Sequence, residues 1–396
     1  IYFGEINIIT MKSFSSSELP KALLSVLENK GILAPTEIQA KTIPILLSHT
    51  GDFVGRSATG TGKTYAYGLP LLTRINAQKG QVQAVVLVPT RELCEQVASE
   101  LQDLATAIDG LKVTAVYGGV AVKSQVKDLS KGTQIIVATP GRLMDLIERK
   151  VVDLSNLNFM VFDEADEILL KGFQQDVDKI LATANRNYGT WLFSATMPNE
   201  VNRVINQYLK KSLKKVLIGE QIATNQGIEH WLVELKAEEK LTALGYFLAQ
   251  FGDQKGIVFC RTKSGVQKLY KQLSAKKFKC GAIHGDLPQG LRNKVMEQYR
   301  AGHINILIAT DVAARGLDVL DIAFVLQYHF ADTKDAYTHR SGRTSRAGKT
   351  GINLTFVFPE ERRRFLDIVN ELSLKLKEVP LPTTNSLLVS EAVLWG

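Results

Sequence analysis

This sequence is poor in cysteine and has no long apolar run, and each shortage closes off a class of protein. Cys94, Cys260 and Cys280 are odd in number and have no metal-site spacing, which argues against a disulfide framework and fits a reducing cytoplasm. No apolar stretch approaches the roughly 20 residues of a membrane helix, so no membrane partner is expected. A G-x-G-x-x-G turn is missing as well: the glycine-rich turn at Gly60 has Tyr at position 65, which weakens a dinucleotide reading. Residues 1–10 are mostly apolar without a basic start and make a poor signal peptide; Met11 reads as a natural beginning, and 1–10 as a non-native or disordered leader.

What is present is an ordinary globular balance. The 396 residues are 45% hydrophobic and 22% charged, enough for two or three domains with ample core. The net charge of +8 favours a polyanionic partner, but a soluble basic surface would look the same.

Two stretches carry chemistry. The apolar run Asn158 to Phe162 reads as a short buried strand, and it ends in Asp163, Glu164 and Asp166. Acids at the C-terminal end of a parallel strand lie where open α/β sheets bind ligands. One could hold Mg²⁺ and another orient an attacking water; taken alone, a strand running into a solvated acidic turn is an equal reading. The second stretch decides. Ser57-Ala58-Thr59-Gly60-Thr61-Gly62-Lys63-Thr64 follows a short apolar segment and opens a helix-compatible run through Leu72. Small residues let backbone N–H groups converge on one anion, and the helix adds its N-terminal partial positive charge. Lys63 would reach the β- and γ-phosphates, and Thr64 would ligate Mg²⁺. Ser57 stands where the strict pattern has glycine, yet Gly-Lys-Thr at a strand–helix junction is specific.

Together these stretches resemble the DEAD-box RNA helicases, whose name spells Asp163-Glu164-Ala165-Asp166. The resemblance runs from about Phe14 to Leu374. It implies an α/β fold of two tandem RecA-like domains, each a parallel sheet with helices on both faces. It also implies ATP and Mg²⁺ as cofactors and a cytoplasmic, monomeric enzyme. RNA, single-stranded or in short duplex, would be gripped mainly by its backbone and locally unwound as ATP hydrolysis closes the two domains. An ATP-dependent RNA clamp with little unwinding would carry the same motifs. Gly31 to Gln39 resembles the family's adenine-reading motif, implying that Phe14, Ile32, Thr36 and Gln39 meet the base. Ile32 replaces the usual aromatic, so a modest preference for ATP is expected. Thr59, Gly60, Thr61 and Gly62 would cradle phosphate beside Lys63 and Thr64. Asp163 would hold Mg²⁺ partly through water, and Glu164 would orient the water that attacks. Loops at Pro89, Thr90 and Arg91, at Gly118 and Gly119, and at Thr139, Pro140, Gly141 and Arg142 resemble RNA-backbone motifs, and Ser194 and Thr196 the motif that couples ATP to RNA.

Strand-like runs alternate with amphipathic runs in both halves, the pattern of parallel, doubly wound sheets. The expected divisions are an N-terminal ATP-binding domain over 11–218, a linker over 219–228, a C-terminal domain over 229–374 and a tail over 375–396. No second phosphate loop occurs. By resemblance, Thr262, Gln289, Arg292 and Thr310 would hold RNA, Gly316 and Asp318 would meet the nucleotide, and His339 and Arg340 would couple the domains with Asp166. Arg343 and Arg346, three apart, are expected on one helical face. They could form a solvated basic stripe; the resemblance makes them arginine fingers. Ser341 and Ser345 depart from the family pattern, and only small packing effects are expected of them.

Overall fold

The computed structural model describes residues 10–57, 60–184, 187–210, 212–218, 227–314, 322–345 and 350–381. Thr59, Gly316, Asp318 and Arg346 lie outside these residues, as do most of the leader, most of the expected linker and the tail from 382 onward; of Gln289 only the backbone is described.

The chain divides into two compact units, Ile1–Gln221 and Ile222–Gly396. The first is built on strands β1 (Phe53–Arg56), β2 (Ala84–Leu87), β3 (Val113–Val116), β4 (Ile135–Ala138), β5 (Phe159–Phe162), β6 (Gly189–Ser194) and β7 (Lys214–Leu217). They form one sheet in the order β3-β4-β2-β5-β6-β1-β7, and every pairing is parallel. The second is built on β8 (Ile228–Glu234), β9 (Gly256–Phe259), β10 (Cys280–Ile283), β11 (Ile306–Ala309), β12 (Phe324–Gln327), β13 (Gly351–Val357) and β14 (Leu376–Glu378). Its parallel order, β10-β11-β9-β12-β13-β8-β14, repeats the first permutation strand for strand. Helices cover both faces, so the central strands are apolar runs buried throughout, such as Ala84–Leu87 and Ile306–Ala309.

Several strands depart from such runs. In β7, Lys214 and Lys215 lie on a sheet edge, so a basic stretch is strand rather than connection. Strands β8 and β13 carry His230 and Asn353 among their buried residues. Strand β14 lies beyond the expected domain end at Leu374 and pairs with β8 at the other sheet's edge.

One expectation is corrected. The expected helical placement fails for Arg343, because the helix Lys334–Ser341 ends before it; Arg346, its expected partner on that face, lies outside the described residues. The Ser341 hydroxyl turns back to the Tyr337 carbonyl at 2.9 Å, and Gly342 caps the helix. Thr344 Oγ1 then donates to Ile322 O at 2.6 Å and draws the chain toward the sheet. Arg343 therefore lies in the turn after the helix, its N–H on Arg340 O at 3.1 Å.

Candidate active site

Strands β5, β6 and β1 are neighbours, so their C-terminal ends bring together three segments far apart in sequence. The phosphate loop follows β1. Gly60 and Gly62 have φ of +77° and +92°, and a Cβ on Gly62 would lie 2.3 Å from Gln39 Nε2. Only glycine fits that left-handed, crowded position. Gln39 Nε2 donates to Gly62 O at 3.0 Å, while Gln39 Oε1 accepts from Thr36 N at 2.9 Å. The glutamine thus caps its own helix, Glu37–Ser48, and braces the loop. Phe14 is packed into the apolar core, with Ile32 half-buried against the same cluster. Ser57, at the position where glycine is usual, contributes a hydroxyl 2.8 Å from Thr61 Oγ1, and its carbonyl accepts from Lys63 Nζ at 3.2 Å.

The acids follow β5. Lys63 Nζ lies 3.3 Å from Glu164 Oε1. Burial acts to lower the Lys63 ammonium, but Glu164, Asp163 and Asp166 outweigh it and hold its pKa above the ordinary value. Asp163 is buried, and its Oδ2 accepts from Tyr67 Oη at 2.9 Å. Burial, reinforced by the Glu164 carboxylate, raises its pKa to about 7 against the pull of Lys63 and Tyr67. Glu164 has a φ of +52°, rare for a residue with a side chain, and its Oε2 has no hydrogen-bond partner. Asp166 Oδ2 accepts from Thr196 N at 2.9 Å and Thr196 Oγ1 at 2.6 Å, and its N–H donates to Ser194 Oγ at 3.2 Å. These bonds tie the acid motif to the loop after β6.

Among the described residues no group of three His, Cys, Asp or Glu side chains could hold a metal by itself. Mg²⁺ needs none, since it takes one or two protein oxygens and completes its shell with phosphate and water. Thr64 opens the helix that follows the glycine cradle, and the Asp163 carboxylate is held against Tyr67 of that same helix, so oxygens of the kind the ion takes are present there.

Strands β3, β4 and β2 end on the same edge of the sheet. After β2, Thr90 Oγ1 accepts from Leu93 N at 3.2 Å and opens the helix Arg91–Ala105. Gly118 and Gly119 follow β3, and the Arg91 guanidinium packs so close that a Cβ on Gly119 would lie 1.8 Å from it. Thr139, after β4, precedes a helix with Pro140 at its first position and Gly141 in its first turn. Arg142 Nη1 donates to Gln125 Oε1 at 2.7 Å and Nη2 to Val120 O at 3.2 Å. Gln125 Nε2 donates in turn to Tyr117 O at 3.0 Å. One glutamine therefore holds two of the loops together.

The second unit repeats this plan without a phosphate loop. Thr262, after β9, accepts from Gly265 N at 3.0 Å, as Thr90 does after β2. Thr310 follows β11 as Thr139 follows β4. Arg292, on the helix Gln289–Arg300, donates to Ala313 O at 2.7 Å. Arg340 grips both Asp311 carboxylate oxygens, at 2.5 and 2.7 Å. His339 and Arg343 are buried, and Arg343 Nε reaches the His339 carbonyl at 3.4 Å.

Residues 36–204 match the DEAD/DEAH box helicase family, and residues 239–348 match the helicase conserved C-terminal domain. The chain belongs to the DEAD-box ATP-dependent RNA helicase family. It is 38% identical over 379 residues to the DEAD-box ATP-dependent RNA helicase CshA of Geobacillus kaustophilus, covering 96% of this chain and 80% of that one. It is 40% identical over 380 residues to the ATP-dependent RNA helicase DeaD of Buchnera aphidicola, covering 96% of this chain and 62% of that longer protein. Among solved structures, S. cerevisiae Dbp5 bound to RNA and ADP BeF3 matches 97% of this chain over its whole length, with 26% identity and a TM-score of 0.86. The DEAD-box helicase Mss116 bound to ssRNA and UDP-BeF matches 96% of this chain and 81% of that one, with 26% identity and a TM-score of 0.83. The two parallel sheets are thus the RecA-like pair of this family.

The DEAD-box motifs of the first unit all converge on one sheet edge, Lys63, Asp163, Glu164, Asp166, Ser194 and Thr196 among them. Sequence reasoning missed Tyr67, Gln125 and Asp311. Each lies outside a motif or unremarked within one, and each matters by touching a motif residue from a different element.

Proposed function

We propose that this chain hydrolyses ATP in response to single-stranded RNA and couples that reaction to local melting of short duplexes. One observation carries the reading: a single sheet edge presents the phosphate loop after β1, the carboxylates after β5 and the Ser194 and Thr196 hydroxyls at the end of β6, with three helix-opening loops after β2, β3 and β4. Helix N-termini and hydroxyls suit phosphate oxygens and read no bases, so the RNA is gripped by its backbone. Gln39 meets adenine with the hydrogen-bonding capacity left by Thr36 and Gly62. Asp163, with Thr64, holds Mg²⁺, which when bound offsets charge on the phosphates. A γ-phosphate draws Lys63 away from Glu164, and Glu164 is then free to orient water. Arg343 and Arg346 supply positive charge to the γ-phosphate when the two units close on RNA and ATP, Gly316 and Asp318 meet the nucleotide from the same unit, and Thr262, Gln289, Arg292 and Thr310 complete the RNA grip. The free, buried Cys94, Cys260 and Cys280 suit a reducing cytoplasm.

The test is ATP turnover by the purified chain with single-stranded RNA, matched DNA or neither, alongside the distance between one dye on each unit. Slow basal turnover, strong stimulation by RNA alone and a distance that shortens with RNA plus a non-hydrolysable analogue are expected. Full activity without RNA, or an unchanging distance, refutes the coupling.

A further inference from the structure

The buried polar side chains on one face of the second sheet have no part in the chemistry described so far. In the first unit each sheet face is covered by one continuous apolar cluster. In the second unit one face is split. One cluster surrounds Ile257, Phe259 and Val325, and another surrounds Leu232, Tyr337 and Phe365. His230, Gln327, Asn353 and Thr355 stand on the adjoining strands, each at most 5% exposed. Strand by strand, Gln327 ends β12 where Phe162 ends β5, and its register partner is Thr355 where that of Phe162 is Leu192.

Gln327, Asn353 and His230 form a chain, while the Thr355 hydroxyl beside them has no hydrogen-bond partner. Gln327 Oε1 accepts from Ala331 N at 3.1 Å and from Arg340 Nη1 at 3.0 Å. Gln327 Nε2 donates to Asn353 Oδ1 at 3.2 Å. Asn353 Nδ2 reaches His230 Nδ1 at 3.5 Å, and Tyr337 Oη meets the same nitrogen at 2.8 Å. An arginine and a backbone N–H only donate, so each amide has one workable orientation, and His230 Nδ1 is left as an acceptor whose one lone pair is shared between the near Tyr337 hydroxyl and the more distant Asn353 amide. Tyr337 and Arg340 are three apart on the helix Lys334–Ser341. That helix is therefore pinned at two points, by His230 under Tyr337 and by Gln327 under Arg340, where Asp311 and the His329 carbonyl also hold the guanidinium. A polar seam through an apolar core is destabilising unless every member is paired, and here it ends on the arginine of the coupling motif.

We propose that Gln327, backed by Asn353 and His230, is a positioning residue that fixes the Arg340 guanidinium, and with it the turn bearing Arg343, in the geometry RNA-stimulated turnover requires; this rests on the function proposed above. The experiment uses the full chain as wild type, Gln327→Leu, the double variant Gln327→Leu with Asn353→Val, and Glu164→Gln as a control. Melting temperature, ATP KM and kcat at saturating single-stranded RNA are read well below every melting point. Gln327→Leu takes one acceptor from the Arg340 guanidinium, the donor from Asn353 Oδ1 and the acceptor from Ala331 N, so the expected result is a lower melting temperature, a kcat reduced about tenfold or more and a KM within about threefold. The double variant joins the two apolar clusters. Its melting temperature should return near the wild-type value while kcat stays low. Recovery of both in the double variant overturns the proposal, because the seam would then serve folding alone. A kcat within about twofold of wild type in Gln327→Leu also overturns it. Should Gln327→Leu not fold, the double variant decides. A wild type lacking RNA-stimulated turnover overturns the underlying function and this proposal with it. Stimulated turnover that Glu164→Gln abolishes and the Gln327 variants spare overturns this proposal alone.

Discussion

Replacing Tyr67 with Phe removes one oxygen atom and probes the electrostatics of the acid motif. Tyr67 Oη sits 2.9 Å from Asp163 Oδ2, and the two residues are 0% and 3% exposed. Burial and the adjacent Glu164 raise the Asp163 pKa to about 7, and the Tyr67 hydroxyl is among the groups holding it down. A hydrogen bond to a charged acceptor is worth about 2 kcal/mol. Since one pKa unit corresponds to about 1.4 kcal/mol, its loss should raise the Asp163 pKa by about 1.5 units, or about 30-fold in the proton equilibrium. A metal ion competes with that proton, so affinity for Mg·ATP should climb as pH rises through the carboxyl pKa. In the wild type the climb centres near pH 7; in Tyr67→Phe it should move alkaline by about 1.5 units. The two proteins should differ by about tenfold or more near neutrality and converge at high pH. The assay is titration with a fluorescent ATP analogue across this range, with and without Mg²⁺. An unchanged midpoint, or a loss of affinity equal at every pH, would refute the reasoning.

The same carboxyl makes a prediction about stability. A pKa raised in the folded state contributes stability that is present below the unfolded value and lost as pH rises through about 7. Asp163→Asn should therefore melt higher than wild type at pH 8 without ligand, lose that advantage in acid, and have no turnover; calorimetry at the two pH values checks this. Glu164→Gln should keep ATP binding and lose about 10²–10⁴ in turnover, and near-normal turnover would remove Glu164 from the water-orienting role. Gln39→Ala should weaken ATP and GTP together, because Gly62 loses its donor, and should also erode the modest preference for ATP; competition binding that shows only one of these effects separates loop bracing from base reading. Gln125→Leu should weaken single-stranded RNA binding several-fold by releasing Arg142 and the Tyr117 carbonyl, with RNA-free ATP turnover unchanged as the control.

Much of this protein is determined by local sequence. Parallel strands buried on both faces must be apolar along their length, so Ala84–Leu87, Ile135–Ala138 and Ile306–Ala309 are legible as they stand. The phosphate loop is legible because its requirements are local: left-handed glycines, a lysine and a helix start within eight residues. Other features depend on partners distant in the chain. Strand β7 is basic because an edge need not be apolar, and β8 and β13 carry His230 and Asn353 because Gln327 and Tyr337 satisfy them from other elements. The end of the helix at Ser341 is decided in part by Thr344 reaching a carbonyl 22 residues earlier, a bond no local pattern announces. Sequence alone thus nominated the residues proposed to meet phosphate, metal and RNA, since those needs are written in residue type and short spacing. Tertiary structure alone decided that Tyr67 tunes Asp163, that Gln39 braces Gly62 and that a polar seam ends on Arg340, because a hydrogen bond in a buried site depends on which side chains the sheet order makes neighbours.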